Sequence, residues 1–355
     1  MEFEIIVLPF IIGLFFSGIF TPLGIKFANS LKLIDDPKKH KHPAVIHKKT
    51  LPRAGGLPIY LAIFVGSIFL LPMSKIFLAI LAAGFLIVLI GLLDDRYDLS
   101  PYVRFVVNIV CAGIVVYYGV NMPFITNPLG GILHFNSIGI NLDFINLSLS
   151  LSSVLAVIWI VWVMNMLNWS KGVDGQMPGI VVISAVVIGL ASLRFPVLGE
   201  FNIDSSQMSF LVAGSAMGFL IYNFYPAKIL PGYSSTVLGF CLGVLSLLSG
   251  VKLATAILVM GVPMTDAIFT ITRRILSKRS PFWHDKGHLH HLMLSLGLDH
   301  KKIAVFYWIM SASLGVIALS LSSKGKLFAI ILLIVLVSGF IFTLKFINQK
   351  KAIEK

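Results

Sequence analysis

Residues 76–93, IFLAILAAGFLIVLIGLL, carry no charged side chain, and the chain then turns abruptly acidic in Asp94-Asp95-Arg96-Tyr97-Asp98. Such a run approaches the roughly 20 apolar residues that cross a bilayer as a helix. Ionisable groups at the mouth of a membrane helix are expensive to keep and read first as a functional site. Ten further apolar stretches lie near 4–24, 54–72, 102–120, 149–168, 176–196, 205–222, 233–249, 251–271, 303–321 and 326–346. The composition agrees: 57% of the residues are hydrophobic and 12% charged, with a mean hydropathy of +0.94, beyond the usual soluble range. The expected fold is an all-α polytopic integral membrane protein of about ten or eleven transmembrane helices. No soluble domain is expected, so residues 1–355 form one membrane domain. The first stretch lacks a basic leader and a small-residue cleavage site, so it is expected to stay as a span.

The basic residues set an orientation. With the segment after the first span in the cytoplasm, all Lys and Arg fall on that side except Lys75, Arg194, Lys252, Lys324 and Lys326. The N-terminus is then outside and the C-terminus inside. The net charge of +13 becomes mostly a cytoplasmic surface charge, suited to anionic lipid headgroups and to an anionic substrate. On the outer side, residues 121–148 alternate apolar and polar around Gly130-Gly131, which predicts a short β-hairpin lying on the membrane. Cys111 and Cys241 fall inside spans and read as packing residues rather than a disulfide or zinc site.

Three polar clusters sit at the cytoplasmic ends of spans. Asp94, Asp95 and Asp98 would share one helix face if the helix continues through them. Like charges that close need a compensating cation, either Mg²⁺ or a Lys/Arg partner. Asn165, Asn168, Lys171, Asp174 and Gly175 form the second cluster, with the two Asn one turn apart and able to ligate a metal or bind a uracil-like base. The third is His288-Leu289-His290-His291, preceded by Arg273, Arg274, Ser280, Pro281, Asp285 and Lys286. Imidazoles with guanidinium groups can hold a pyrophosphate. Zinc is the rival reading, but no Cys lies nearby and there is no H-E-x-x-H. Asp36, Arg53-Ala54-Gly55-Gly56 and Asn223 complete the polar content of this side.

In this order and on one face, these clusters resemble the polyprenyl-phosphate N-acetylhexosamine 1-phosphate transferase family (glycosyltransferase family 4). The likeness covers nearly the whole chain and is closest to the branch that uses UDP-N-acetylglucosamine. The matching motifs are Asp94-Asp95-x-x-Asp98, the Asn165/Asn168/Asp174-Gly175 segment, Pro263 with Asp266, and Asp285 with His288-x-His290-His291. Asp36-Pro37 and Pro52-Arg53-x-Gly55-Gly56 match the family's first loop. The resemblance implies transfer of a sugar 1-phosphate from a UDP-sugar to undecaprenyl or another polyprenyl phosphate, with release of UMP, at the cytoplasmic membrane of a bacterium. It implies Mg²⁺ as cofactor, with Mn²⁺ as a substitute, and membrane lipid but no nucleic acid as partner; a homodimer is an admissible assembly. Asp94, Asp95, Asp98, His288, His290 and His291 are then the expected catalytic residues. Asp36, Arg53, Asn165, Asn168, Lys171, Asn223, Arg273, Arg274 and Asp285 are expected to bind substrate, and Asn168, Asp174 and Asp95 the metal.

Two positions depart from the family pattern. Lys171 stands where the family keeps the first Asp of its N-x-x-N-x-x-D-G-x-D-G segment, and Tyr233 stands where it keeps a metal-binding Asp after span seven. The same replacements suit a catalytically altered or inactive relative that binds lipid phosphate or sugar nucleotide. A transporter is the third reading. It would place its polar residues near the bilayer midplane on repeated halves, whereas here they gather at helix mouths without a repeat.

Overall fold

The computed structural model describes residues 2–37, 49–127, 130–136, 138–142, 147–194, 201–249, 253–281 and 287–353. A π-helical turn, Phe3–Val7, leads into α1 (Leu8–Ser30), followed by α2 (Gly56–Leu70), α3 (Lys75–Tyr97) and α4 (Pro101–Tyr117). Then come α5 (Leu151–Trp169), α6 (Gln176–Arg194), α7 (Phe201–Asn223), α8 (Thr236–Leu248), α9 (Leu253–Val259) and α10 (Gly261–Leu276). The chain closes with α11 (Leu289–Ser295), α12 (His300–Ser320) and α13 (Ser323–Ile353). Apolar segments of this kind become helices because lipid offers no partner for a backbone N–H or C=O, and a helix satisfies them internally. Local chemistry fixes the starts. The hydroxyls of Ser74, Ser100 and Ser150 accept from the N–H of Phe77, Val103 and Ser153, capping α3, α4 and α5.

Helix occupies each of the eleven apolar stretches. Six of the helices are long and apolar enough to cross a membrane, and the bent pair α9/α10 makes a seventh if taken as one span. The helices α2, α4 and α8 have 15, 17 and 13 residues. At about 1.5 Å per residue they fall short of the roughly 30 Å hydrocarbon thickness. The bend of 83° between α9 and α10 falls at Met260, which is fully buried, where non-helical backbone at membrane depth is tolerated.

The centre of the bundle is α8, buried throughout Thr236–Ser246, while α1 and α13 line the outside with only 22% of their apolar windows buried. Small residues let backbones touch. A Cβ added at Gly214 of α7 would overlap the Phe10 carbonyl of α1, and one at Gly218 would fall 2.6 Å from the Leu14 carbonyl. Cys111 and Cys241 are buried free thiols, as packing residues should be.

Strands are few. Between α4 and α5 the single expected hairpin is two: β3 (Phe124–Thr126) pairs antiparallel with β4 (Ile132–His134), and β5 (Gly139–Leu142) with β6 (Leu147–Ser150). Three-residue and four-residue strands leave room for a second reversal in that segment. In the first loop, β1 (Ile34–Asp35) pairs with β2 (Leu51–Pro52), an element the sequence reading lacks. Just beyond β2, Arg53 bridges to Leu230 in parallel fashion. The first loop is thus stitched to the loop between α7 and α8.

Candidate active site

The expected residues converge where α3, α5, α7 and α10 end and where α2, α4 and α8 begin. Asp94 and Asp95, in the last turn of α3, are both buried. Arg53 Nε lies 3.0 Å from Asp95 Oδ1, and its Nη2 lies 4.0 Å from Asp94 Oδ2. Arg104 on α4 reaches Asp94 Oδ2 at 3.3 Å. Two arginines thus supply positive charge beside the acidic pair. Asp95 also ties down the loop before α8: it accepts from the N–H of Tyr233 at 2.7 Å and from the hydroxyl of Ser234 at 3.1 Å. Gly232 has φ +65°, and a side chain there would collide with the Asp95 carboxylate. Only glycine fits such a backbone without strain. The second carboxylate oxygen of Asp94, Oδ1, is buried without a hydrogen-bond partner.

The α5–α6 connection brings the second cluster to the same place. Lys171 Nζ donates to Asn168 Oδ1 and to the Gly232 carbonyl, both at 2.6 Å. It lies 5.9 Å from the centre of the Tyr233 ring, and the Arg104 guanidinium lies 5.2 Å from that centre. The Tyr233 hydroxyl accepts from Asn108 Nδ2 at 3.1 Å. Burial pushes the Lys171 ammonium down to about 7, against the upward pull of Asp95. Burial likewise pushes the Tyr233 phenol up to about 12.

The His run is packed against this cluster. A Cβ on Gly172 would overlap the His290 ring, so the residue after Lys171 is backbone against imidazole. His290 stacks with His288 at 5.6 Å and touches His291 at 4.3 Å between ring centres. Burial, then the neighbouring His291 and His288, hold the His290 imidazole well below its usual range. Asp266 on α10 fixes the segment: its Oδ2 meets His288 Nδ1 at 2.9 Å, and its Oδ1 accepts from the Leu289 N–H at 2.9 Å. A carboxylate on Nδ1 sets the ring's orientation and tautomer.

Other expected residues do different work. Asp98 lies past the end of α3, exposed and left-handed at φ +51°. The helix does not continue through it, so the three carboxylates do not share one face. Asn165 bonds back to the Val161 carbonyl of its own helix at 2.8 Å. Asn223 shapes the loop by accepting from the Gly175 N–H at 3.0 Å and donating to the Ile229 carbonyl at 2.9 Å. Asp174 Oδ2 accepts from the Ala227 N–H at 3.0 Å. Arg274 is buried and donates to the Pro281 carbonyl at 2.6 Å, whereas Arg273 packs its guanidinium over Gly287. Asp36 is half-buried directly after β1. Asp285 lies outside the described residues. The sequence reading counted Arg104 only as a topology charge and left out Asn108 and Ser234. A polar side chain such as Asn108 inside an apolar helix was the available signal.

A family model described as glycosyl transferase family 4 matches residues 77–250. A "probable undecaprenyl-phosphate N-acetylglucosaminyl 1-phosphate transferase" of Bacillus subtilis is 31% identical to the chain, over 97% of this chain and 94% of that protein. The chain belongs to glycosyl transferase family 4. Within it, a Mycobacterium leprae protein named decaprenyl-phosphate N-acetylglucosaminephosphotransferase is 32% identical over 81% of this chain and 77% of its own length. An Escherichia coli protein named undecaprenyl-phosphate alpha-N-acetylglucosaminyl 1-phosphate transferase is 27% identical over 85% and 81% respectively.

Membership raises the question of the divalent cation, and the donor set here does not fit one. Asn168 Oδ1 is bonded to the Lys171 ammonium, Asp95 to Arg53 and the 233–234 backbone, and Asp174 to the backbone of Ala227. Among the described residues, no three His, Cys, Asp or Glu side chains converge as metal ligands. Asn168 Oδ1 and the Asp95 carboxylate already hold an organic cation, and Asp94 Oδ1 is left without a hydrogen-bond partner.

Proposed function

We propose that this multi-pass membrane protein transfers a sugar 1-phosphate, N-acetylglucosamine 1-phosphate, from a UDP-sugar to undecaprenyl or a related polyprenyl phosphate. The reaction runs at the cytoplasmic face of a bacterial inner membrane, with the N-terminus outside and the C-terminus inside. One observation carries the reading: Arg53, Arg104 and Lys171 gather around the buried Asp94/Asp95 pair with His290 packed beside them. It stands in a chain that aligns along 97% of its length with a protein named for this activity.

In chemical terms, an oxygen of the lipid phosphate attacks the β-phosphorus of the UDP-sugar. A new P–O–P linkage forms, the bond from the β-phosphorus to the bridging oxygen breaks, and UMP leaves with that oxygen. Such transfers depend on positioning and on neutralising charge rather than on covalent help from the protein. Arg53, Arg104 and Lys171 would draw the two anions together and stabilise the charge on the leaving phosphate. Asp94 Oδ1, buried with no other partner, would take a proton carried by the incoming lipid phosphate. His288, fixed by Asp266, and His290 would line the diphosphate, and the isoprenoid tail would lie between helices in the lipid.

The test is UMP release by the purified full chain in detergent, with undecaprenyl phosphate and a panel of UDP-sugars. UDP-N-acetylglucosamine is expected to be the best donor. No UMP from any UDP-sugar, with or without divalent cations, would refute the reading.

A further inference from the structure

We infer that Lys171, flanked by Arg53 and Arg104, is the built-in cation of this site, and that the chain binds its sugar nucleotide diphosphate without a divalent metal. The inference rests on the transferase reading for the identity of the ligand, but the geometry that motivates it does not.

The Asn168 side-chain oxygen and the Gly232 carbonyl point at one place, and Lys171 Nζ occupies it at 2.6 Å from each. Two oxygen dipoles converging beside two carboxylates make the kind of cradle that hard cations favour. Here a side chain of the same protein fills it. The neighbouring position is filled as well. Tyr233 presents its ring to both Lys171 and Arg104, and a phenol bonded to Asn108 offers no charge to a metal. Asp95 spends its carboxylate on Arg53, the Tyr233 N–H and the Ser234 hydroxyl, and Asp94 is held through Oδ2 by Arg104 and Arg53 with Oδ1 left unpaired.

Charge makes the same point. Arg53, Arg104 and Lys171 lie around Asp94 and Asp95, with Asp35 and Asp98 also acting on Arg53, so the buried carboxylates already have organic cations against them. A divalent ion placed between Asn168 Oδ1 and the Gly232 carbonyl would have to displace the Lys171 amine and would meet the Arg53 and Arg104 guanidinium groups nearby, whose repulsion opposes its binding. A diphosphate meets the opposite situation. Its oxygens can take up the free donor directions of an ammonium and two guanidinium groups, which supply the neutralisation that phosphoryl transfer requires.

The experiment uses the purified full chain in detergent and two readouts. In the first, free Mn²⁺ is followed by electron paramagnetic resonance as protein is added. Wild type is expected to remove no Mn²⁺ from solution, and Lys171→Asp/Tyr233→Asp to gain about one site. In the second, UDP-N-acetylglucosamine binding is measured calorimetrically in EDTA and in MgCl₂. Wild-type affinities are expected to agree within about twofold. Lys171→Met should weaken binding at least tenfold in either buffer, with Lys171→Arg restoring most of it. Stoichiometric Mn²⁺ uptake by wild type that Asp95→Asn abolishes would overturn the inference. So would a tenfold loss of nucleotide affinity in EDTA, or Lys171→Met binding as tightly as wild type. The Lys171→Met comparison decides the matter if the double variant does not fold. Absence of UMP release refutes the transferase reading alone and leaves the Mn²⁺ titration in force.

Discussion

At the scale of single residues, Asp95 joins the end of α3 to Arg53 and to the loop before α8. Breaking a buried ion pair by removing one partner typically destabilises by about 3–5 kcal/mol, because the other charge is left uncompensated. Asp95→Ala should therefore lower the melting temperature clearly, while the isosteric Asp95→Asn should lower it less. Both should reduce UMP release at least a hundredfold. A fully active Asp95→Asn protein would show that the carboxylate charge has no part in transfer. His290 gives a pH dependence. Burial and its His neighbours hold its folded pKa well below the usual value, whereas in the unfolded chain it titrates near about 6.5. Below that pH the unfolded state binds the extra proton, so stability falls as pH falls and gains nothing from His290 above it. Between pH 7.5 and 5.5, wild type should lose more of its melting temperature than His290→Gln does. Parallel losses would mean that His290 is not held neutral.

At the scale of elements, the bundle depends on close helix contacts that side-chain volume would spoil. Gly214 of α7 packs directly on the Phe10 carbonyl, while Gly18 of α1 has nothing within 4 Å of where its Cβ would be. Overpacking a tight contact typically costs about 1–3 kcal/mol. Gly214→Val should thus lower the melting temperature in detergent, and Gly18→Val, whose added Cβ meets open space, should leave it nearly unchanged. Equal effects would place the α1–α7 contact elsewhere. Element ends matter in the same way. The left-handed Asp98 stops α3 after Tyr97, which leaves Asp94 and Asp95 buried in the final turn and Asp98 exposed beyond it.

At the scale of the whole molecule, the proposed orientation predicts which loops meet which compartment. Ser277 follows α10 and Ser322 lies between α12 and α13; both are exposed, and the native Cys111 and Cys241 are buried. In intact cells a membrane-impermeant maleimide should label Ser322→Cys, and should label Ser277→Cys only after permeabilisation. The reverse pattern would invert the topology and put the cluster on the outer face. The site itself needs the whole bundle, because it draws on residues from Arg53 to His291 that no single hairpin of helices could bring together.

Composition and apolar run length were enough to determine a helical membrane protein, because in lipid the backbone must bond to itself wherever the side chains are uniformly apolar. They also placed the scarce charges at helix mouths and marked Asp94, Asp95, Lys171 and His290 as a site. Helices apolar on all sides carry no periodic signal of which face meets which neighbour, so the partners were not legible. That Arg53 and Arg104 lie against the acidic pair depended on tertiary contacts. The same holds for Lys171, which settles on the carbonyl of Gly232, 61 residues further along the chain. Those contacts exist only once the loops between distant helices meet, since a buried charge takes whichever partner the packed bundle brings within reach.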